Sequence, residues 1–139
     1  MARPFLDTNI FLRHLRQDHP DHSPGATAYF KRIEDGSLEV ATAHTVVFEA
    51  VFTLQSFYKV PRADIQNSLL PLLELPGLKL PRKRMFRPVF DLYVTSSLSF
   101  ADAYHAVAIL LQVSLYDLDR RRIIIDHKHS RPTLLEQRR

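Results

Sequence analysis

The chain has 139 residues, a length that predicts one domain over residues 1–139. The absence of cysteine excludes disulfides, thiolate zinc sites and a cysteine nucleophile, and three glycines are too few for a glycine-rich phosphate loop. The net charge of +4 and the pI of about 9.6 favour a polyanionic partner.

The N-terminal half alternates short strands with helices. Phe5-Leu6 is typical of the end of a buried strand, and Asp7-Thr8-Asn9 predicts the start of a helix. A second helix is expected over 24–34, a strand over 38–42 and a third helix over 44–57, where apolar residues recur at helical spacing.

The C-terminal half continues the alternation. The expected elements are a helix around Ile65 to Leu73, a strand at 78–80, helices over 82–95 and 99–112, and a strand over 113–118, with further strand candidates at 123–125 and 133–135. Strands alternating with helices predict an α/β fold in which helices cover both faces of a parallel sheet.

No long apolar stretch precedes Asp7, so no signal peptide is expected. The longest apolar stretch, around Ala106 to Leu111, is too short to span a bilayer. We therefore expect a cytoplasmic protein that has no membrane partner.

Acidic residues fall where ligand sites form in parallel sheets, beyond the carboxyl ends of the strands. Asp7 follows the first predicted strand, Asp119 follows the strand at 113–118, and Glu49 and Asp102 lie on helices next to such ends. Converging carboxylates repel one another unless a cation lies between them, and oxygen ligands select Mg²⁺ or Mn²⁺. A basic chain with such an acidic edge suggests a phosphodiesterase.

Each acid also has a purely structural explanation. Asp7 suits the cap of the first helix, and Asp102 suits a capping box with Ser99. Glu49 is compatible with a solvent-facing position, and Asp119 with an ordinary turn. The catalytic interpretation therefore depends on the four acids acting as a set.

Three segments resemble the PIN-domain family, in particular the VapC-type toxin ribonucleases of type II toxin–antitoxin systems. They are Phe5-Leu-Asp-Thr-Asn-Ile-Phe11, His44-Thr-Val-Val-Phe-Glu-Ala-Val51 and Leu98-Ser-Phe-Ala-Asp-Ala-Tyr-His-Ala106. The resemblance implies a three-layer α/β/α sandwich with a central, mainly parallel sheet. It also implies Mg²⁺- or Mn²⁺-dependent endoribonuclease activity, a homodimer and a cognate antitoxin.

The same resemblance assigns roles to single residues. Asp7, Glu49 and Asp102 match the first three metal-site acids, and Thr8 and Asn9 match the positions that support the first acid. For the fourth acid we rank Asp119 first, because it precedes a basic run as in the family. Asp126 comes second and Asp117 third.

Two basic clusters are candidates for contacts with RNA phosphates, although solvated surface charge explains them equally well. The clusters consist of Arg82, Lys83 and Arg84, and of Arg120, Arg121 and Arg122.

Two other functions compete with a ribonuclease. A haloacid-dehalogenase-like phosphatase also carries an acid after its first strand, but it needs a second acid two residues later, where this chain has Asn9. A non-catalytic RNA- or protein-binding module with a degenerate site is the other alternative.

Overall fold

The computed structural model describes residues 2–129, with side chains given for residues 2–115 and for Asp117. Its elements within that range are α1 (Thr8–Arg16), α2 (Ser23–Glu34), β1 (Val40–Ala41), α3 (His44–Ser56), α4 (Arg62–Leu73), β2 (Leu78–Lys79), a 3-10 turn (Lys83–Met85), α5 (Phe86–Thr95) and α6 (Phe100–His129). The described part of the chain is therefore mostly helical.

The sheet is small but parallel. Val40 pairs with Leu78 and Ala41 with Lys79, and Phe5 forms an isolated parallel bridge to Ala41 on the other side of β1. The predicted strands at 5–6, 38–42 and 78–80 thus appear as three short parallel segments. Their carboxyl ends meet at one edge of the sheet. Asp7, α3 and the 3-10 turn each come after one of these ends in the chain.

The predicted three-layer α/β/α sandwich with a central, mainly parallel sheet is wrong, because the described residues hold a sheet of only two strands. The segment 113–118, expected as a strand, is helical and continues α6. No glycine, proline or asparagine stands between residues 100 and 129, so nothing in this segment ends the helix. A short apolar run does not by itself distinguish a strand from a buried helix. The candidate strand at 123–125 also lies in α6, and the one at 133–135 lies outside the described residues.

The core lies between the helices and one face of the small sheet. Helix α1 packs on α2 and α3, and α5 packs on α4 and α6. The large side chains with almost no exposure include Phe11, Ile33, Leu54, Leu69, Phe86, Phe90 and Tyr93. Among the described side chains of α6, those of Phe100, Ala103 and Val107 in its first turns are buried in this core.

Gly77 marks the place where β2 approaches the end of α2. A Cβ atom at this position would lie 2.6 Å from the Ile33 carbonyl oxygen and 2.7 Å from that of Leu38. Backbone oxygens cannot move aside as a side chain can, so the approach requires glycine. Its own carbonyl accepts a hydrogen bond of 2.9 Å from the Val40 amide.

Arg62 joins α4 to the segment between α5 and α6. Its Nη1 lies 2.8, 3.2 and 2.6 Å from the carbonyl oxygens of Tyr93, Ser96 and Leu98, and its two hydrogens are shared among these three acceptors. Its guanidinium carbon also lies 4.4 Å from the centre of the Tyr93 ring. One side chain thus satisfies carbonyl groups left free where α5 ends.

Within residues 2–129, no helix is both long enough and apolar enough to cross a membrane.

Candidate functional site

Asp7 lies directly after the first parallel segment and is the N-cap of α1. Its Oδ1 accepts a hydrogen bond of 2.8 Å from the Thr8 amide, and its Oδ2 lies 3.5 Å from Nδ2 of Asn9. The capping role expected of an aspartate at this position is therefore real. The side chain is exposed, so each oxygen keeps a lone pair that another ligand can use.

Thr8 connects Asp7 to Glu49 on α3. The Thr8 side chain is buried, and its Oγ1 donates a hydrogen bond of 3.0 Å to Oε2 of Glu49. Thr8 thus offers its amide to one carboxylate and its hydroxyl to the other. Thr8 therefore contacts both Asp7 and Glu49, which were predicted as members of one site, and the Asn9 side chain is within hydrogen-bond distance of Asp7.

The hydroxyl of Thr42 fixes the neighbouring ends of the parallel segments. Thr42 is buried, and its Oγ1 donates to the Leu6 carbonyl oxygen at 2.9 Å. Its amide donates to the carbonyl oxygen of Lys79 at 3.0 Å. Thr42 therefore holds together the segments that lead into Asp7, into α3 and into the 3-10 turn.

Asp102 is in the first turn of α6, as predicted, and the Ser99 side chain caps this turn, although the reciprocal bond of a capping box, from the Ser99 amide to the Asp102 carboxylate, is not formed. The Asp102 amide donates to Ser99 Oγ at 3.1 Å, and Ser99 Oγ donates to Asp102 Oδ2 at 2.8 Å. The side chain of Asp102 is exposed. No hydrogen bond in the described part of the chain joins it to Asp7, Thr8 or Glu49.

The predicted fourth acid, Asp119, does not follow a strand, because residues 117–126 all belong to α6. Asp117 is exposed on this helix, and the side chains of Asp119 and Asp126 lie outside the described set. Within the described residues, no group of three or more histidine or acidic side chains is arranged to hold a metal ion.

The donor chemistry of Asp7 and Glu49 nevertheless fits a hard cation. Both side chains are exposed carboxylates, and Oε1 of Glu49 has no hydrogen-bond partner among the described residues. Mg²⁺ keeps several water ligands and is often bound by only one or two carboxylates. The pair is therefore compatible with Mg²⁺ or Mn²⁺.

The first basic cluster divides into different roles. Lys83 is half-buried and donates from Nζ to the carbonyl oxygens of Leu75 and Leu78, at 2.8 and 3.0 Å. Burial lowers the pKa of this ammonium group. Lys83 is thus a structural lysine, whereas Arg82 and Arg84 on either side of it are exposed.

Arg84 lines a depression of about 400 Å³ with Lys83, Arg87 and Glu74. Arg87 is already paired with Glu74, since its Nη2 lies 2.6 and 2.7 Å from the two carboxylate oxygens. That leaves Arg82 and Arg84 as the arginines of this region suited to an external phosphate. The second cluster, Arg120, Arg121 and Arg122, is on α6, and its side chains lie outside the described set.

The sequence reasoning did not single out His44, although this residue occupies the same sheet edge. It is the first residue of α3 and lies half-buried between Tyr104 and Pro81, with hydrogen bonds to both. The rule that located Asp7 would also have located His44, because His44 follows a predicted strand by two residues.

No protein-family model, curated protein or solved structure matches the chain.

Proposed function

We propose that the chain is a divalent-metal-dependent endoribonuclease that cleaves RNA phosphodiesters and belongs with the PIN-domain, VapC-type toxins. The observation that carries the proposal is the meeting of Asp7 and Glu49 at Thr8, beyond the ends of parallel segments. The relationship to the PIN family rests on the three sequence segments and not on the architecture.

In this proposal Asp7 and Glu49 hold Mg²⁺ or Mn²⁺, and Asp102, in the first turn of α6, is the third acid of the set. The ion would supply activation of a water molecule and stabilisation of charge on the leaving oxygen. Thr8 orients both carboxylates through its amide and hydroxyl, and Asn9 restrains the second oxygen of Asp7.

Arg82 and Arg84 would hold the RNA backbone. Both are exposed and follow the end of β2, at the edge that also carries Asp7. A guanidinium binds phosphate oxygens through a planar fork of donors. Arg82→Gln and Arg84→Gln together should weaken RNA binding and reduce the salt slope of the binding constant by about 0.7 for each lost contact. The exposed Lys31 on α2, replaced by Gln, is the control.

Cleavage of RNA in Mn²⁺ tests the catalytic proposal. Asp7→Asn keeps a good N-cap and should retain the fold, but should lower the cleavage rate by about 100-fold or more. Asp64→Asn, at an exposed acid in the first turn of α4, should cleave like the wild type. Cleavage that continues in EDTA, or in Asp7→Asn at the wild-type rate, would refute the proposal.

A non-catalytic RNA-binding module is the second candidate. It is favoured by the lack, within the described residues, of a metal-binding group of three. Such a module would bind RNA through Arg82 and Arg84 and leave it intact in Mg²⁺ and in Mn²⁺. The same assay therefore decides between the two functions.

We further propose a homodimer and a cognate antitoxin as partners. Several apolar side chains beyond the core are 53–69% exposed; they are Phe52 on α3 and Ile109, Leu110, Val113 and Leu115 on α6. Such exposure is typical of surfaces that contact another protein. Sedimentation as a monomer at micromolar concentration would contradict the dimer.

A further inference from the structure

The imidazole of His44 connects three elements of the proposed site. Its Nε2 lies 2.5 Å from the carbonyl oxygen of Pro81, at the end of the segment that follows β2. Its Nδ1 lies 2.6 Å from the hydroxyl of Tyr104 on α6. Since His44 is the first residue of α3, one ring links α3, α6 and the segment before the 3-10 turn.

The partners determine which ring nitrogen carries the proton. A carbonyl oxygen only accepts, so Nε2 of His44 must donate to Pro81. In the neutral ring Nδ1 then accepts, and the hydroxyl of Tyr104 donates to it. Both nitrogens are thus engaged, and each bond needs a feature that an apolar aromatic ring lacks.

Each link leads to a residue of the proposed site. Pro81 precedes Arg82, whose backbone has a positive φ of 50° and so needs its surroundings to hold it. Tyr104 is in the first turns of α6, two residues after Asp102. Glu49 lies on the helix that His44 begins.

Aromatic packing accounts for part of the role of His44, but not for its two hydrogen bonds. Its ring lies edge-on to Phe86 and Tyr104, with ring centres 4.9 and 5.5 Å away. Phenylalanine would supply such contacts, but it would leave both hydrogen bonds unmade.

We propose that His44 is a positioning residue. It fixes two segments relative to Glu49: the 3-10 turn with the preceding Pro81 and Arg82, and the start of α6. This inference rests on the proposed ribonuclease function. It predicts that the Pro81 bond governs RNA affinity, and that the Tyr104 bond governs the metal requirement through Asp102.

Two variants separate the two bonds. His44→Phe keeps the aromatic packing and removes both bonds, whereas Tyr104→Phe removes only the bond to α6. His14→Gln is the matched control, because His14 is also half-buried, with Nδ1 2.9 Å from the Thr27 hydroxyl, but lies on α1 away from these links.

Three measurements on the full chain test the proposal. They are hydrogen–deuterium exchange at 82–85 and 100–105, RNA affinity in EDTA, and the Mn²⁺ concentration that gives half-maximal cleavage. Loss of one hydrogen bond corresponds to about a 2- to 10-fold effect. Tyr104→Phe should speed hydrogen–deuterium exchange at 100–105 but not at 82–85, and should raise the Mn²⁺ concentration for half-maximal cleavage by about 2- to 10-fold. His44→Phe should speed exchange in both segments and also weaken RNA binding.

Hydrogen–deuterium exchange at the wild-type rate in His44→Phe would overturn the inference. Faster exchange with unchanged RNA affinity and unchanged Mn²⁺ requirement would also overturn it, because the two hydrogen bonds would then have only a structural role. A wild-type chain that cleaves no RNA at any Mn²⁺ concentration would instead refute the proposed function. The exchange data would then decide by themselves whether His44 fixes the two segments.

Discussion

Replacing Thr8 by valine tests the link between α1 and the acid on α3. Valine has nearly the shape of threonine, so the variant removes a hydroxyl and leaves no cavity. A hydrogen bond to a charged group contributes roughly 1.5–3 kcal/mol. Glu49 is exposed, however, and water competes for its carboxylate, so we expect a loss of about 1 kcal/mol in the free energy of unfolding. For a chain of this size the melting temperature should fall by roughly 4 °C.

A double-mutant cycle separates the bond from other effects of the substitution. Urea unfolding of Thr8→Val, Glu49→Ala and the double variant should give a coupling energy of about 1 kcal/mol. Thr45→Val, at an exposed threonine on α3, is the control and should change stability by less than about 0.5 kcal/mol. A coupling energy below about 0.3 kcal/mol would show that Thr8 and Glu49 act independently, and would remove the contact on which the proposed site depends.

Three further substitutions test the fold. Gly77→Ala should lower the free energy of unfolding in urea by about 1–3 kcal/mol, because the new Cβ would collide with the carbonyl oxygens of Ile33 and Leu38. Gly25→Ala, in open space on α2, should instead raise it by about 0.5–1 kcal/mol. Equal effects of the two substitutions would contradict the close approach at Gly77. Arg62→Lys should lower the free energy of unfolding by about 1–2 kcal/mol, since a lysine ammonium does not reproduce the contact of the guanidinium with the face of the Tyr93 ring. Arg84→Lys, at an exposed position, should leave stability unchanged, and melting curves that rank the two variants alike would exclude the bridging role of Arg62. Burial lowers the pKa of His14 below 6.5, so as pH falls the imidazole is protonated in the unfolded chain before it is protonated in the folded chain, and the free energy of unfolding should decrease below about pH 6.5. His14→Gln should reduce this dependence of the unfolding free energy on pH. An unchanged slope in the variant would assign the titration to another group.

Local signals in the sequence identified the beginnings of helices well. Asp7 before α1 and the Ser99–Asp102 pair at the start of α6 were recognised because a capping side chain bonds to an amide within three residues of itself. Such contacts depend on neighbours in sequence, and they are therefore visible in it.

The link between Asp7 and Glu49 was predicted only in outline. The positions of the acids after the predicted strands identified the sheet edge. The contact between the Thr8 hydroxyl and Glu49, however, depends on how α1 packs on α3. The same applies to His44, whose partners Pro81 and Tyr104 lie 37 and 60 residues away. Neither partner can be read from local spacing.

The error at residues 113–118 has a different origin and bears on the site itself. From Val107 to Tyr116 the chain has no charge, and such a run suits a buried strand as well as a buried helix. The structure continues α6 through it, so Ile109, Leu110 and Val113 remain exposed, whereas a helix that is apolar on all sides normally lies buried. As a consequence, Asp119 belongs to α6 and does not follow a strand of the sheet. Because Asp119 lies on a helix and not after a strand, the catalytic proposal depends on the pair at Thr8 rather than on four acids.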